Sequence, residues 1–473
     1  MERSAGTVSV FALAMLITGS IDSIRNLPTT ALFGTNLIFF TVFSALVLLI
    51  PVALVAAELS SALPNEGGIF IWVRRALGGK CAFLAIWMQW INTMVWYPTI
   101  LSFIAGTAAY LIDPQLADQR WYLMSVILAV FWLLTLVNLR GFKTSTRFAS
   151  FCAVFGMVIP MAFIILLAAV WLLGGHPLAI HFSWDNLIPG LHTSVGWISL
   201  TAVMTSFLGM ELATVHVNEV SNPQHAFPRA LLISVAIIVT TTILGSLAIA
   251  LVLPSKDISL VEGIMQAFSQ FLHAYHMVWL LPILTLMILL GSLGGMINWV
   301  ISPAKGLLQA AQIGYLPKSL TKLNRHGVAG RILILQALLV TLSCSAFILM
   351  PSVNGSYWLL TDLSTQIYMV MYVFFFIAAV KLHFSVVRQQ PGFKIPGGLF
   401  GKMLICGLGL FGCGVTILVG FLPPSNIAVG GTWHFEVLFI GGLILMLTPG
   451  LMVFFAPKPK PHGLDSVCGE ASS

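Results

Sequence analysis

Gly19-Ser20-Ile21-Asp22-Ser23-Ile24-Arg25-Asn26-Leu27-Pro28 lies between the apolar runs Val8–Ala14 and Leu37–Phe43. An aspartate and an arginine therefore fall inside an apolar span, among a glycine, small polar residues and a proline that interrupt a helix. Ionisable groups at bilayer depth are costly, so they face a protein interior or a water-filled cavity and mark a functional site. Non-helical backbone is tolerated there only where protein or a cavity covers it. This one stretch predicts a membrane-embedded helix broken around a site.

Composition widens the reading to the whole chain. Hydrophobic residues are 58% of the 473 and charged residues 8%, with a mean hydropathy of +0.99. A soluble domain is excluded, and an all-α membrane protein is expected. Spans of crossing length are read at 8–33, 37–57, 82–111, 121–139, 149–174, 195–217, 229–253, 277–311, 332–350, 357–382, 402–422 and 435–455, about twelve helices. The longest connections are 175–194 and 254–276. The first span lacks a small-residue cleavage site and is read as a retained helix, not a signal peptide.

With the N-terminus placed in the cytoplasm, nineteen of the 22 lysines and arginines fall inside; Arg120 and Lys256 fall outside and Arg25 in the membrane. That asymmetry follows the positive-inside rule and predicts both termini cytoplasmic. The net charge of +7 then reflects topology, and a nucleic-acid partner, which needs a basic domain, is not expected. Six cysteines form no CxxC pair, so neither disulfides nor a zinc site are expected; Cys406 and Cys413, seven apart, read as packing residues. No cofactor is implied. Without an HExxH, GxSxG or paired Cys/His cluster, an enzyme is not expected either. A channel would need a polar filter or charged ring.

The sixth span repeats the opening pattern. Phe207-Leu208-Gly209-Met210-Glu211 again sets a glycine and a carboxylate in apolar surroundings, followed by His216, Asn218 and Glu219. Interruptions five spans apart are what an inverted five-plus-five repeat produces, with substrate held between the two breaks. The other reading is that Gly19 and Gly209 only allow close helix packing; intramembrane charge beside both breaks favours the site.

Glu58-Leu59-Ser60-Ser61-Ala62-Leu63-Pro64-Asn65-Glu66-Gly67-Gly68-Ile69-Phe70-Ile71-Trp72-Val73 resembles the segment after the second helix in amino acid–polyamine–organocation (APC) transporters. Gly209-Met210-Glu211, with Asn218 through Pro223 and Pro228-Arg229-Ala230, resembles their sixth-helix signature. Val217 through Pro223, Trp299-Val300-Ile301-Ser302-Pro303-Ala304-Lys305-Gly306 and Phe421 through Ile427 look most like the bacterial glutamate/GABA antiporters. The resemblance implies a LeuT-type fold with discontinuous helices 1 and 6: residues 1–175 and 176–397 as inverted repeats, 398–456 as two peripheral helices and 457–473 as a short cytoplasmic tail. It also implies an amino acid bound at unwound backbone, here Gly19, Ser20 and Ile21 in the first helix and Phe207, Leu208 and Gly209 in the sixth. Half-helix N–H groups would take its carboxylate and unwound carbonyls its ammonium.

Side chains follow by the same resemblance. Glu211 matches a family glutamate that carries a proton or touches the substrate's polar end; the alternative is a structural carboxylate. Glu219 is read near the cytoplasmic end, beside Asn222 and Pro223, where an inner-gate, coupling or loop-pairing role is expected over substrate contact. Trp299 matches a tryptophan lining the pocket, and Tyr368 with Tyr372, four apart on one helix face, match a Tyr-x3-Tyr pair able to bind a distal carboxylate or simply to pack. The chain departs from the antiporters in three places. Arg25 stands where they carry an aromatic residue, and Leu293-Gly294-Gly295-Met296 lacks their eighth-helix carboxylate. Both changes favour an anionic side chain on the substrate. Arg25 would pair with a glutamate-like substrate while Asp22 balances it or handles a proton; alternatively Asp22 and Arg25, three apart, pair with each other. The third departure is the tail: Ala456–Ser473 is too short for the antiporters' pH-gated plug. The expected function is secondary active exchange of glutamate-like amino acids by alternating access, with a proton-coupled symporter or a transporter-like sensor as alternatives. Its partners are the substrate, its exchange product, the lipid bilayer and, on some readings, protons; a homo-oligomer is left open.

Overall fold

A computed structural model describes residues 9–63, 68–141, 148, 151–152, 154–183, 187–188, 194–212, 214, 223–387, 392–424 and 426–456. Among them every regular element is helical, and nine helices are long and apolar enough to cross a membrane. The chain is an integral membrane protein.

The opening stretch folds as its composition demands. Helix α1 (Val10–Ile21) stops where Asp22 and Ser23 leave helical geometry; Ser23 is extended at φ −140°, ψ 121°. A 3-10 turn (Ile24–Asn26) then starts α2 (Leu27–Ala31), whose first turn holds Pro28, where a proline's missing N–H costs nothing. The break therefore sits at Asp22–Ser23. Gly19, Ser20 and Ile21, expected in unwound backbone, are instead the last turn of α1, where carbonyls lack intrahelical donors.

Helix α3 (Asn36–Ser44) runs through a π turn (Ala45–Leu49) into α4 (Ile50–Ala62), and α5 (Ile69–Leu77) leads to α6 (Gly79–Ala109). At 31 residues α6 reaches roughly 46 Å, long enough to cross, although its Gln, Asn, Trp and Tyr residues lower its hydropathy. Then come α7 (Arg120–Leu139), α8 (Ile159–Leu173), α9 (Ser194–Ser206), α10 (Pro223–Val252), α11 (Gly263–Ala274) and α12 (Leu281–Gln312). The 254–276 connection thus contains a helix of its own. Helices α13 (Gly330–Ser343), α14 (Val353–Leu382), α15 (Gly398–Val419) and α16 (Thr432–Phe455) complete the chain.

The second interruption follows α9. Phe207–Gly209 turn, with Gly209 at φ +96°, a conformation glycine adopts without strain, and Met210–Leu212 make one 3-10 turn. Helix α1 packs on α10, while α14 lies against α6, α9 and α15, so both breaks face the middle of α6 and α14. Cys406 and Cys413 are buried thiols on α15. One glycine pair lets two segments meet backbone to backbone: a Cβ on Gly156 would fall on the Gly291 backbone of α12.

Candidate functional site

A cavity of about 230 Å³ opens between the two breaks. Of the expected residues, Gly19, Ile21, Asp22, Arg25, Leu208, Gly209, Trp299 and Tyr368 line it. Phe207, Glu211 and Tyr372 are buried behind that wall. Ser20 lies in the last turn of α1, and its side chain is outside the described residues, as are Glu219 and His216.

Asp22 and Arg25 turn away from each other. Thr241 on α10 donates to Asp22 Oδ2 at 2.6 Å. Arg25, 5% exposed, donates from a terminal guanidinium nitrogen to Thr99 Oγ1 at 2.9 Å. Its guanidinium carbon lies 5.1 Å from the centre of the Trp96 ring, a cation–π contact. Arg25 Nε has no hydrogen-bond partner, and among the described residues no carboxylate is within ion-pairing distance of the side chain. The internal Asp22–Arg25 pair is therefore not formed. Helix periodicity allowed it, but the chain is extended at Ser23, so the two side chains do not share a helix face.

Glu211 anchors the second break. Tyr368 OH donates to Oε1 and Tyr372 OH to Oε2, each at 2.6 Å, and Gln89 Nε2 reaches Oε1 at 3.4 Å. Both hydroxyl bonds are at the short end of the O–H···O range. The Gly209 N–H donates to Tyr372 OH at 3.0 Å, so one unwound amide expected to meet a substrate carboxylate is already engaged. The tyrosine pair, expected to serve a ligand's distal carboxylate, serves a carboxylate of the protein. In this arrangement Glu211 is a buried acceptor that fixes the break; only Tyr368 of the trio also reaches the cavity.

Trp299 lines the cavity edge-on to Trp96, ring centres 5.5 Å apart. Its placement follows from Pro303, which has no N–H to give to the carbonyl four residues back. That carbonyl belongs to Trp299, and Tyr97 OH donates to it at 2.8 Å. A proline in α12 and a phenol in α6 thereby lock two walls of the cavity together.

The sequence reading missed α6 as a wall. Gln89, Trp90, Asn92, Thr93, Trp96 and Tyr97 all line the cavity. The signal was present: Gln89, Thr93, Trp96 and Ile100 are spaced four, three and four, a single stripe of helix. Opposite it, Ser364 of α14 donates to Asn92 Oδ1 at 3.1 Å, and Thr205 and Thr365 share a short hydroxyl contact. Among the described residues no group of three or more His, Cys, Asp or Glu could hold a metal ion.

Comparison with known proteins gives this cavity a context. Residues 8–445 match the amino acid permease family. A transporter of Legionella pneumophila is 42% identical over 448 residues, covering 94% of this chain and 96% of its own. A glutamate/gamma-aminobutyrate antiporter of Lactococcus lactis is 30% identical over 460 residues, covering 96% and 92%. A probable agmatine/putrescine antiporter of the same species is 21% identical over 84% of each chain.

Proposed function

The chain belongs to the amino acid permease family, a family of transporters and not enzymes, and from that premise we propose that it exchanges glutamate-like amino acids across a bacterial inner membrane by alternating access. One observation carries the substrate class. Arg25 is buried at the wall of a cavity with no carboxylate among the described residues to pair with. A buried charge left uncompensated is strongly unfavourable, and a substrate's distal carboxylate supplies the missing partner. The cavity's volume, about 230 Å³, lies below the roughly 300–1,000 Å³ of drug-sized sites, a scale that suits an amino acid.

The half-helix end at Gly19–Ile21 offers carbonyl oxygens to an α-ammonium. Trp299, Trp96 and Ile100 supply apolar walls, and Gln89, Asn92 and Thr93 supply donors and acceptors. The breaks at Asp22–Ser23 and Phe207–Gly209 support a twelve-helix, LeuT-type arrangement in which residues 1–175 and 176–397 are inverted repeats, with 398–456 peripheral and both termini cytoplasmic. Exchange, rather than one-way movement, draws support from relatives whose names state antiport. Reconstituted protein preloaded with unlabelled glutamate tests the reading. Trans-stimulated uptake of label is expected; binding without movement would identify a sensor.

A further inference from the structure

Asp362 lies on α14, is 1% exposed, and plays no part in the cavity. Its Oδ1 accepts from Gln366 Nε2 at 3.0 Å, and the same amide nitrogen donates to the Thr416 carbonyl of α15 at 3.1 Å. Asp362 Oδ2 and Gln366 Oε1 have no hydrogen-bond partner. Gly420 closes the recess, because a Cβ there would fall on the Gln366 amide. A carboxylate in the membrane interior with one neutral donor and no cation carries a large uncompensated cost. Adding a proton removes the charge.

Among the described residues no cation compensates that charge. Of the titratable groups on the helices against α14, Glu58 of α4 pairs with Lys402 of α15. Lys80 of α6 donates to the Ala456 carbonyl, Tyr97 of α6 to Trp299, and His434 of α16 contacts the Leu349 carbonyl. Arg74 and Arg75 of α5, Tyr110 just past α6, His383 just past α14, Glu436 of α16 and the thiols Cys81, Cys406 and Cys413 complete the set; α9 has none. On α14 itself stand Tyr357, Lys381 and the two tyrosines bound to Glu211. None of the cations among these pairs with Asp362.

Position links this group to transport. Ser364 and Tyr368 line the substrate cavity, two and six residues beyond Asp362. At 3.6 residues per turn they project roughly 200–240° around the helix from Asp362. Helix α14 therefore separates the cavity from the Asp362 recess and touches both. We propose that Asp362 is the proton-carrying group of the transport cycle, holding a proton in this conformation and releasing it when movement of α14 against α15 admits water. The carboxylate takes one proton from water on one side of the membrane and returns one to water on the other. This rests on the transport reading above and adds its coupling ion.

The test reads protonation apart from transport. Infrared spectra of the full chain in detergent at neutral pH, wild type minus Asp362→Asn, should contain the C=O band of a protonated acid, indifferent to sodium. Carboxylate bands alone overturn the proposal, as does an acid band that sodium removes, the latter pointing to a sodium ion held by Asp362 and Gln366. In glutamate-exchanging proteoliposomes, the ratio of uptake with and without an imposed pH gradient should fall to unity in Asp362→Asn and persist in Asp362→Glu. A ratio unchanged in Asp362→Asn overturns the proposal. If neither protein exchanges amino acids, the transport reading fails and the infrared result alone decides on Asp362.

Discussion

Asp22 and Arg25, three residues apart across the first helix break, each bind a different helix and not one another: Asp22 accepts from Thr241 of α10, and Arg25 donates to Thr99 of α6. The break is thus tied to two separate helices, and the guanidinium, at the cavity wall, has no carboxylate partner among the described residues. An ion pair would have neutralised both charges. Their separation leaves the positive charge that the proposed substrate carboxylate would meet.

Replacing Arg25 by Gln should separate a binding role from a structural one by sign. Loss of a desolvated ion pair with substrate costs about 2–5 kcal/mol, so the affinity for glutamate should fall at least tenfold. The ligand-free protein should melt at the same temperature or higher, because a costly buried charge is gone. Binding titration and thermal denaturation read the two effects; a lower melting temperature with unchanged affinity would make Arg25 structural.

Tyr372→Phe removes a donor to Glu211 and the acceptor of the Gly209 N–H. Leaving a buried polar group unsatisfied costs about 1–3 kcal/mol, so thermal stability should fall clearly. Combined with Glu211→Gln, the loss should be smaller than the sum of the single losses, since the groups act as one network. Additive losses would show that the three do not work together.

Gly291→Ala should destabilise the protein without altering its choice of substrate. The added methyl would fall on the Gly156 backbone, which can yield only by parting the α12 crossing. Melting temperature and yield of folded protein should drop, while the ranking of competing amino acids is unchanged.

At Glu262, in the connection before α11, pH should enter. Burial, with a smaller contribution from nearby Asp118, pushes its carboxyl up to about 8 from 4.5. The folded state therefore favours the protonated form. This contribution to stability is complete below about 4.5 and is lost as pH rises through about 8. Glu262→Gln fixes the neutral form and should be more stable than wild type above that pH. Melting curves across the alkaline range check it; parallel curves for the two proteins would contradict it.

Much of the fold was legible because bilayer physics leaves few choices. The charges at Asp22 and Arg25, the glycine at 209 and the carboxylate at 211 located both breaks in the sequence. The exact unwound residues were not legible: Gly19 suggested the break, yet the polar pair Asp22–Ser23 made it, since a lone glycine is tolerated near a helix end. Trp299 was found through its motif. Its partner Tyr97 and the α6 stripe were overlooked because aromatic residues inside an apolar helix usually pack. The destination of the Tyr368 and Tyr372 hydroxyls depended on contact between distant segments, which periodicity within one helix does not reveal. Asp362 went unnoticed because no break accompanies it.

The central claim is exchange of an amino acid whose anionic end meets Arg25. Proteoliposomes loaded with unlabelled glutamate and diluted into labelled glutamate test it most directly. The account predicts rapid uptake that is absent from empty liposomes and strongly reduced in Arg25→Gln. Equal uptake into loaded and empty liposomes, or full glutamate exchange by Arg25→Gln, would contradict it.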